Sequence, residues 1–312
     1  MTNFNFICSE NSFVSAADDV SEFPESWCHF ERNEDNKEQI KALGISTNDS
    51  ESLLDETTRP HFHLVGENSF LLFLRTINLN PDSVPEDMVS LRFWFNGKKL
   101  VTITHRNVQA LHFVKEQLLT KSDSIYSTPA LFIELINQVM TRLERHVIKL
   151  SNKMEQLEDI NDNEQSFNQS DLHDLRRSTS RLQRFMLPQL EALKKLALSD
   201  LGWLDKKLKH SLKEFVGSMN YYNEEIALIK ERCEILSYEI NSKLTERVNR
   251  NLYIISIITV IFLPLSFITG LLGINVGGIP GSASASGFLA VALIIFALLV
   301  VQLLILKFYK WF

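Results

Sequence analysis

A stripe of polar and small residues runs through an otherwise apolar stretch in the last quarter of the sequence. Its members are spaced alternately by three and four positions, so on a helix they share one face. They are Asn249, Leu252, Ser256, Thr259, Leu263, Ser266 and Gly270. If several copies surround an axis, the Ser, Thr and Asn side chains would face water in a pore, and Leu252 and Leu263 would form hydrophobic constrictions that gate it. Alternatively, small and hydroxyl residues simply let helices approach closely in a membrane.

A linker without any charge follows this stripe. Residues 271–287 read LLGINVGGIPGSASASG, in which Asn275 carries the only amide side chain. The glycines and Pro280 allow tight turns. If the linker rims a pore, Asn275 presents an amide oxygen to whatever passes, whereas a simple connector would tolerate any polar residue there. Asn275 is therefore the residue of the linker that we would test first.

Two apolar elements must position these residues. Residues 252–272 and 287–306 form charge-free runs of 21 and 20 residues. As a helix, each is long enough to cross a hydrocarbon core of about 30 Å. A buried core helix is the alternative, but two such runs in succession favour transmembrane helices. Two spans cannot enclose a pore, so a pore would need a ring of subunits. The first span would then lie inside, and the second, without a polar residue from 288 to 301, would face lipid.

The distribution of charge predicts how these spans are oriented. The net charge is −6 over 312 residues, yet the only charged residues after position 250 are Lys307 and Lys310. Together with Arg247 and Arg250 before the first span, they place both termini in the cytoplasm and the 273–286 linker outside by the positive-inside rule. The sequence begins without a basic segment followed by an apolar core, so no cleaved signal peptide is predicted.

Composition also limits the function of the remaining chain. Residues 1–60 contain 13 Asp and Glu against four Lys and Arg, which argues against nucleic acid as a partner. The three cysteines, Cys8, Cys28 and Cys233, form no CxxC pair and suit a reducing compartment. The sequence contains no nucleotide-binding glycine loop, HExxH or GxSxG, so we predict that the protein is not an enzyme and needs no cofactor.

The region before the spans divides into strands followed by long helices. Residues 61–106 alternate as strands do, and Asn96-Gly97 favours a type I′ hairpin turn. A helical period begins at Thr128, a second helix covers about 172–198, and a third, from about 212, has no evident stop before the membrane. The first helix has an apolar face consisting of Leu131, Leu135, Val139, Leu143, Val147 and Leu150. We therefore expect an α/β domain at 1–127, a long-helix region at 128–250 and a two-span domain at 251–312.

Several histidines and carboxylates outside the spans are weaker candidates for cation binding. His61 and His63 would share a strand face and could bind a metal, but two ligands are too few for a structural zinc site. His146, His173 and His210 are expected on solvated helix faces. A group of carboxylates near the end of the first long helix could attract cations, although an acidic helix end is the simpler account. Its members are Glu155, Glu158, Asp159, Asp162 and Glu164.

Particular sequence stretches resemble the CorA family of divalent-metal transporters. They are the long helix entering the membrane as TERVNRNLYIISIITVIFLPLSFITGLLGIN and a second span ending in lysines and aromatics. The family has Gly-Met-Asn after its first span, where this chain has Gly273-Ile274-Asn275. The continuation GINVGGIPG and the segment from Thr58 to Arg106 look like the ZntB zinc-transporter branch of bacterial inner membranes.

This resemblance implies an α+β membrane protein that assembles as a homopentamer. Its N-terminal α/β domain would be cytoplasmic, the long helices would form a funnel, and the two C-terminal spans would lie in the bacterial inner membrane. The first spans would line the pore. By the same resemblance Gly273, Ile274 and Asn275 would be the selectivity residues, with Asn275 forming a ring at the outer mouth and Gly273 and Ile274 providing its backbone setting. The transported ion would be Zn²⁺, with Cd²⁺, Ni²⁺ and Co²⁺ as further candidates, and proton coupling has been proposed for the branch.

Residues 251–312 contain no Cys, His or carboxylate, the usual ligands of zinc. We therefore expect a divalent cation to cross largely hydrated, with the Asn275 amide oxygen and backbone carbonyls accepting hydrogen bonds from its waters. Membrane proton relays normally use Asp, Glu or His, and the spans have none. Two alternatives remain: a passive CorA-like channel for Mg²⁺ or Co²⁺, and a membrane anchor for a signalling domain that transports nothing.

Overall fold

The computed structural model describes residues 3–9, 12–16, 20, 22–56, 59–120, 125–163, 169–274 and 286–309. The chain divides into two compact units, Met1–Leu236 and Ser237–Phe312. Asn275, Glu164 and most of the 273–286 linker lie outside the described residues. The predictions made for them therefore stay predictions.

The first unit contains a seven-stranded sheet in the order β2-β1-β3-β7-β6-β5-β4. Only the β3–β7 pair is parallel, and the other neighbours are antiparallel. The strands are β1 (Phe4–Ser9), β2 (Ser12–Ala16), β3 (Ser26–Glu31), β4 (His61–Leu64), β5 (Phe70–Thr76), β6 (Val89–Phe95) and β7 (Lys99–Thr104). The helices are α1 (Lys37–Ala42), α2 (Thr47–Leu54), α3 (Gln109–Leu119), α4 (Thr128–Asp162), α5 (Gln169–Leu198), α6 (Lys206–Leu272) and α7 (Gly287–Phe308).

Both faces of this sheet are covered, because its central strands are apolar on both sides. Phe73 and Trp94 belong to a buried cluster on one face with Ile40 of α1 and Leu53 of α2. On the other face the ring of Phe132 from α4 lies within 5.3 to 5.6 Å of the rings of Phe70, Phe93 and Phe95. Successive strand residues point to opposite faces, so one strand supplies both cores.

The hairpin predicted between β6 and β7 is present, but its turn type was predicted incorrectly. Gly97 has a φ of +88°, whereas Asn96 does not adopt the positive φ that a type I′ turn centred on Asn96-Gly97 requires. Instead, the Asn96 side chain accepts hydrogen bonds from the backbone N–H groups of Lys98 at 3.0 Å and Lys99 at 2.7 Å. Trp203 packs against this turn, so close that a Cβ at position 97 would lie 2.4 Å from its ring.

The three long helices predicted from the apolar period are confirmed. All six residues predicted for the apolar face of α4 are buried. Helix α6 has 67 residues, which corresponds to about 100 Å at 1.5 Å per residue. Within the first unit its N-terminal part is fixed to α4, where Arg232 Nε donates to Glu158 Oε1 at 2.9 Å and Cys233 contacts Met154. The acidic end of α4 thus contributes an ion pair to helix packing.

The second unit consists of the C-terminal part of α6 and of α7. Both helices are long and apolar enough to cross a membrane, and few of their residues are buried within the chain. A soluble helix with so much exposed Ile, Leu and Phe would be strongly unfavourable in water, so these surfaces require lipid or other subunits around them.

Candidate functional site: the polar stripe of the first apolar helix

The polar stripe lies on a continuous helix, and the helix itself satisfies its hydroxyl groups. Ser256 Oγ donates to the carbonyl of Leu252 at 2.8 Å, and Thr259 Oγ1 donates to that of Ile255 at 2.8 Å. These bonds to the preceding turn lower the cost of placing hydroxyls in an apolar segment. Each oxygen keeps a lone pair that can accept a hydrogen bond from water.

The stripe and α7 occupy opposite sides of α6. The half-buried residues of this part of α6 lie along one face: Ile257, Ile261, Pro264, Leu265 and Ile268. At 3.6 residues per turn, their mean direction is roughly half a turn away from that of the stripe. All seven stripe residues are exposed, with Leu252 at 56% and Leu263 at 64%.

Helix α7 presents a matching face of half-buried or buried residues. They are Gly287, Val291, Ile295, Leu298, Leu299, Gln302 and Leu306. Because these residues recur every three or four positions, they form a single seam. The polar stripe of α6 is therefore not covered by α7, and lipid, water or another copy of the chain can contact it.

A hydrogen bond joins the two helices at Pro264. Proline has no N–H, so the carbonyl of Val260, four residues earlier, loses its donor within the helix. Gln302 Nε2 of α7 donates to this carbonyl at 3.4 Å. Gln302 is the first polar side chain of α7, and sequence reasoning did not identify it as functional. The pairing of an internal proline in one span with a lone amide in the other was the available signal.

The predicted selectivity residues are only partly described. Gly273 follows the last residue of α6, and its N–H donates to the carbonyls of Thr269 at 2.9 Å and Gly270 at 3.2 Å. A Cβ at this position would lie 3.0 Å from the Thr269 oxygen, a tight contact that favours glycine. Ile274 is 49% exposed, and Asn275 lies outside the described residues.

The three histidines predicted on solvated helix faces differ in their exposure to solvent. His146 was expected on a solvated face, and this is wrong: it is 9% exposed, and its Nε2 lies 2.9 Å from Glu86 Oε1. The helix places this position against Glu86, in the segment between β5 and β6. Burial by itself would raise the pKa of Glu86, but the hydrogen bond to His146, with a backbone hydrogen bond, brings it below its usual value. His173 and His210 are exposed, as expected.

The histidines of β4 do not complete a metal site. His61 Nδ1 donates to the carbonyl of Arg59 at 2.8 Å, and its ring lies 4.2 Å from that of Phe73. Within the described part of the chain, no three His, Cys, Asp or Glu side chains are grouped so that they could hold a metal ion.

Known proteins are similar in sequence to this chain over nearly its whole length. The family described as CorA-like Mg2+ transporter protein matches residues 25–310. The Divalent cation transporter CmaX of Pseudomonas aeruginosa is 32% identical over 289 residues, which are 91% of this chain and 87% of that protein. The Zinc transport protein ZntB of Yersinia enterocolitica is 28% identical over 261 residues, which are 84% of this chain and 79% of that protein.

The solved structure of the full-length CmaX protein has the same fold. It superposes with a TM-score of 0.88 at 29% identity and covers 99% of this chain and 98% of that one. The shared features are an N-terminal α/β domain, a very long helix and two C-terminal apolar helices. With the family match across residues 25–310, they show that this chain belongs to the CorA family.

Proposed function

We propose that this protein moves hydrated divalent cations, with Zn²⁺ as the principal cargo, through a pore formed by a homopentamer. The observation that carries the proposal is the direction of the polar stripe, which lies on the side of α6 opposite α7. A ring of subunits with α7 outside would turn Asn249, Ser256 and Thr259 toward its axis. The relatives named for divalent-cation and zinc transport support the choice of cargo.

In this pore the chain supplies weak ligands only. Hydroxyl oxygens, backbone carbonyls and the Asn275 amide accept hydrogen bonds from the water around the ion, so the ion keeps its hydration shell and leaves quickly. Leu252 and Leu263 form the constrictions. We place both spans in the bacterial inner membrane, with both termini cytoplasmic, because Arg247, Arg250 and Lys307 lie at one side of them.

A matched pair of threonines tests whether the stripe faces the pore. Thr259 lies on the stripe, whereas Thr269 points about a quarter turn or more away from the mean direction of the stripe. The two are otherwise alike, because the hydroxyl of each donates to the carbonyl four residues earlier. Thr259→Cys and Thr269→Cys should both fold. A positively charged, water-soluble thiol reagent should abolish Zn²⁺ uptake into liposomes only in Thr259→Cys, because fixed positive charge in the pore repels dications.

The native thiols provide a low background for this experiment. Cys28 and Cys233 are buried. Burial, and then the neighbouring Glu25, raises the pKa of Cys8 to about 11, so little of the reactive thiolate is present near neutral pH. Equal inhibition of the two variants, or inhibition of Thr269→Cys alone, would contradict the assignment of the pore face.

The same liposomes identify the ion and the energy source. Uptake of Zn²⁺, Mg²⁺ and Co²⁺ is measured with and without a pH gradient. Zn²⁺ uptake that a gradient accelerates supports a proton-coupled zinc transporter, and gradient-independent uptake of Mg²⁺ or Co²⁺ supports the passive channel. Asn275→Ala should reduce flux in an intact oligomer, and unchanged flux would favour the anchor hypothesis.

A further inference from the structure

A cavity of about 610 Å³ in the first unit is lined by an unusual number of arginines. They come from β5, β6, α5 and the segments after β3 and β7: Arg32, Arg75, Arg92, Arg106, Arg181 and Arg184. Three carboxylates, those of Glu56, Glu86 and Asp87, share the lining, so the cavity has an excess of three formal positive charges. This excess contrasts with the net charge of −6 for the chain.

The innermost of these arginines is Arg92, which is only 3% exposed. Its Nη1 donates to the carbonyl of Leu53, its Nε reaches Ser90 Oγ at 3.4 Å, and its guanidinium lies over the ring of Phe73. Burial, and then the positive charges of Arg32 and Arg75, lowers the pKa of Arg92 to about 10. A guanidinium in this position would be stabilised by an anion.

Arg75 and Arg184 extend the positive surface along the wall of the cavity. Arg75 Nη1 donates to the carbonyl of Met88 at 3.0 Å, and both guanidinium groups lie over the ring of Phe185, at 5.0 and 5.6 Å. Burial, and then the charge of Arg184, lowers the pKa of Arg75. The like charges are thus close enough to destabilise one another, and the aromatic ring between them gives the wall a flat apolar surface.

Two of the three carboxylates already have partners. Glu86 is bonded to His146, as described above, and Asp87 Oδ1 lies 3.2 Å from Arg181 Nη1. The pair with Arg181 neutralises one arginine of the six. Of the acidic groups that line the cavity, only Glu56 then remains to offset the others, and it is exposed to solvent. Asp55, next to the lining, opposes the effect of Arg32 and Arg75 on Arg92 and partly offsets its charge.

We propose that this arginine cavity binds an anion that carries a diphosphate or triphosphate group. Guanidinium groups bind phosphoryl oxygens through two parallel N–H donors, and several arginines around one cavity match several neighbouring phosphoryl groups. The volume falls in the range of sites for ligands of nucleotide size. The site belongs to the first unit and is independent of the proposed pore.

Isothermal titration calorimetry of the full-length protein in detergent tests this site, without divalent cations because they chelate phosphates. The probes are inorganic triphosphate, ATP, AMP and inorganic phosphate. Triphosphate and ATP should bind at least about tenfold more tightly than AMP and inorganic phosphate, and added salt should weaken binding. Equal affinity for triphosphate and ATP would identify the phosphoryl chain as the whole ligand, and tighter binding of ATP would add the nucleoside.

Exposed arginines on one helix provide the variants. Arg184→Gln removes a lining guanidinium and should weaken triphosphate binding by about tenfold. Arg177→Gln, on the same helix but outside the cavity, should not change it. Because both residues are exposed, both variants should fold, which circular dichroism checks. The proposal is overturned if neither polyphosphate binds, if AMP binds as tightly as ATP, or if the two variants have the same effect.

Discussion

The hydrogen bond between Gln302 and the carbonyl of Val260 leads to a prediction that a double-mutant cycle can separate from general helix packing. Gln302→Met removes the amide donor while keeping a flexible side chain of similar length. The Val260 carbonyl then has neither the N–H that Pro264 lacks nor the donor from α7. We therefore expect the substitution to destabilise the packing of α6 against α7.

The expected magnitude follows from the length and surroundings of this bond. Side-chain hydrogen bonds between membrane helices contribute about 0.6 kcal/mol on average, with a maximum of about 1.7 kcal/mol. The distance of 3.4 Å is long, and Gln302 Oε1 is buried without a hydrogen-bond partner among the described residues, so its removal relieves a cost. We expect a loss near the lower value, about 0.5 kcal/mol, or roughly a twofold change in the equilibrium constant.

A double-mutant cycle with Pro264→Ala separates this bond from general packing. Alanine restores the backbone N–H that bonds to the Val260 carbonyl, so the Gln302 amide becomes redundant. In that background Gln302→Met should cost nothing or should stabilise the protein. The free energy of unfolding is measured by titrating the full-length protein in mixed micelles with SDS, at a fixed protein concentration because the chain assembles in our proposal.

The control is Leu303→Met, which changes a neighbouring, 43% exposed residue of α7 and should show no coupling to Pro264→Ala. The reasoning is refuted if Gln302→Met costs the same with and without Pro264→Ala. In that case the amide would stabilise the helices through another group.

Two further predictions concern the first unit. Burial is the largest cause that lowers the pKa of His29, from 6.5 to about 3, so the unfolded chain takes up this proton as the pH falls below 6.5 while the folded chain does not. The contribution of His29 to the free energy of unfolding is therefore fully present at a pH well above 6.5 and is lost as the pH falls. Between pH 7 and 5 the protein should lose about 2 kcal/mol of stability, and the variant His29→Asn should not show this loss. If the thermal midpoints of the two proteins fall equally steeply with pH, this explanation is contradicted. Gly97→Ala should destabilise by about 3 kcal/mol, because it combines a positive φ with a Cβ 2.4 Å from Trp203. Gly44→Ala, which has a similar φ of +90° but open space, should cost only about 1 kcal/mol in chemical denaturation, and equal costs would exclude the steric explanation.

Local patterns determined the elements of this protein. The uninterrupted helical period from position 212, the two charge-free runs and the alternating strands at 61–106 predicted α6, α7 and most of the sheet, because period and charge act over neighbouring residues. The stripe of α6 could likewise be predicted from spacing alone. The type of the β6–β7 turn could not, because it depends on the Asn96 side chain and on Trp203, which lies more than 100 residues away in the sequence.

The contacts between distant segments required the tertiary structure. His146 has charged neighbours in sequence, yet it is buried and bonded to Glu86, 60 residues away, a contact that its neighbours in sequence do not indicate. The arginines of the cavity are spread from position 32 to 184, so no spacing rule brings them together. The register of α7 against α6 decides that Gln302 meets the carbonyl left free by Pro264. The sequence alone indicates which helix and strand faces are apolar and must be buried. Which residues pack against those faces is decided by the tertiary structure, because each such contact depends on the position of every element between its two partners.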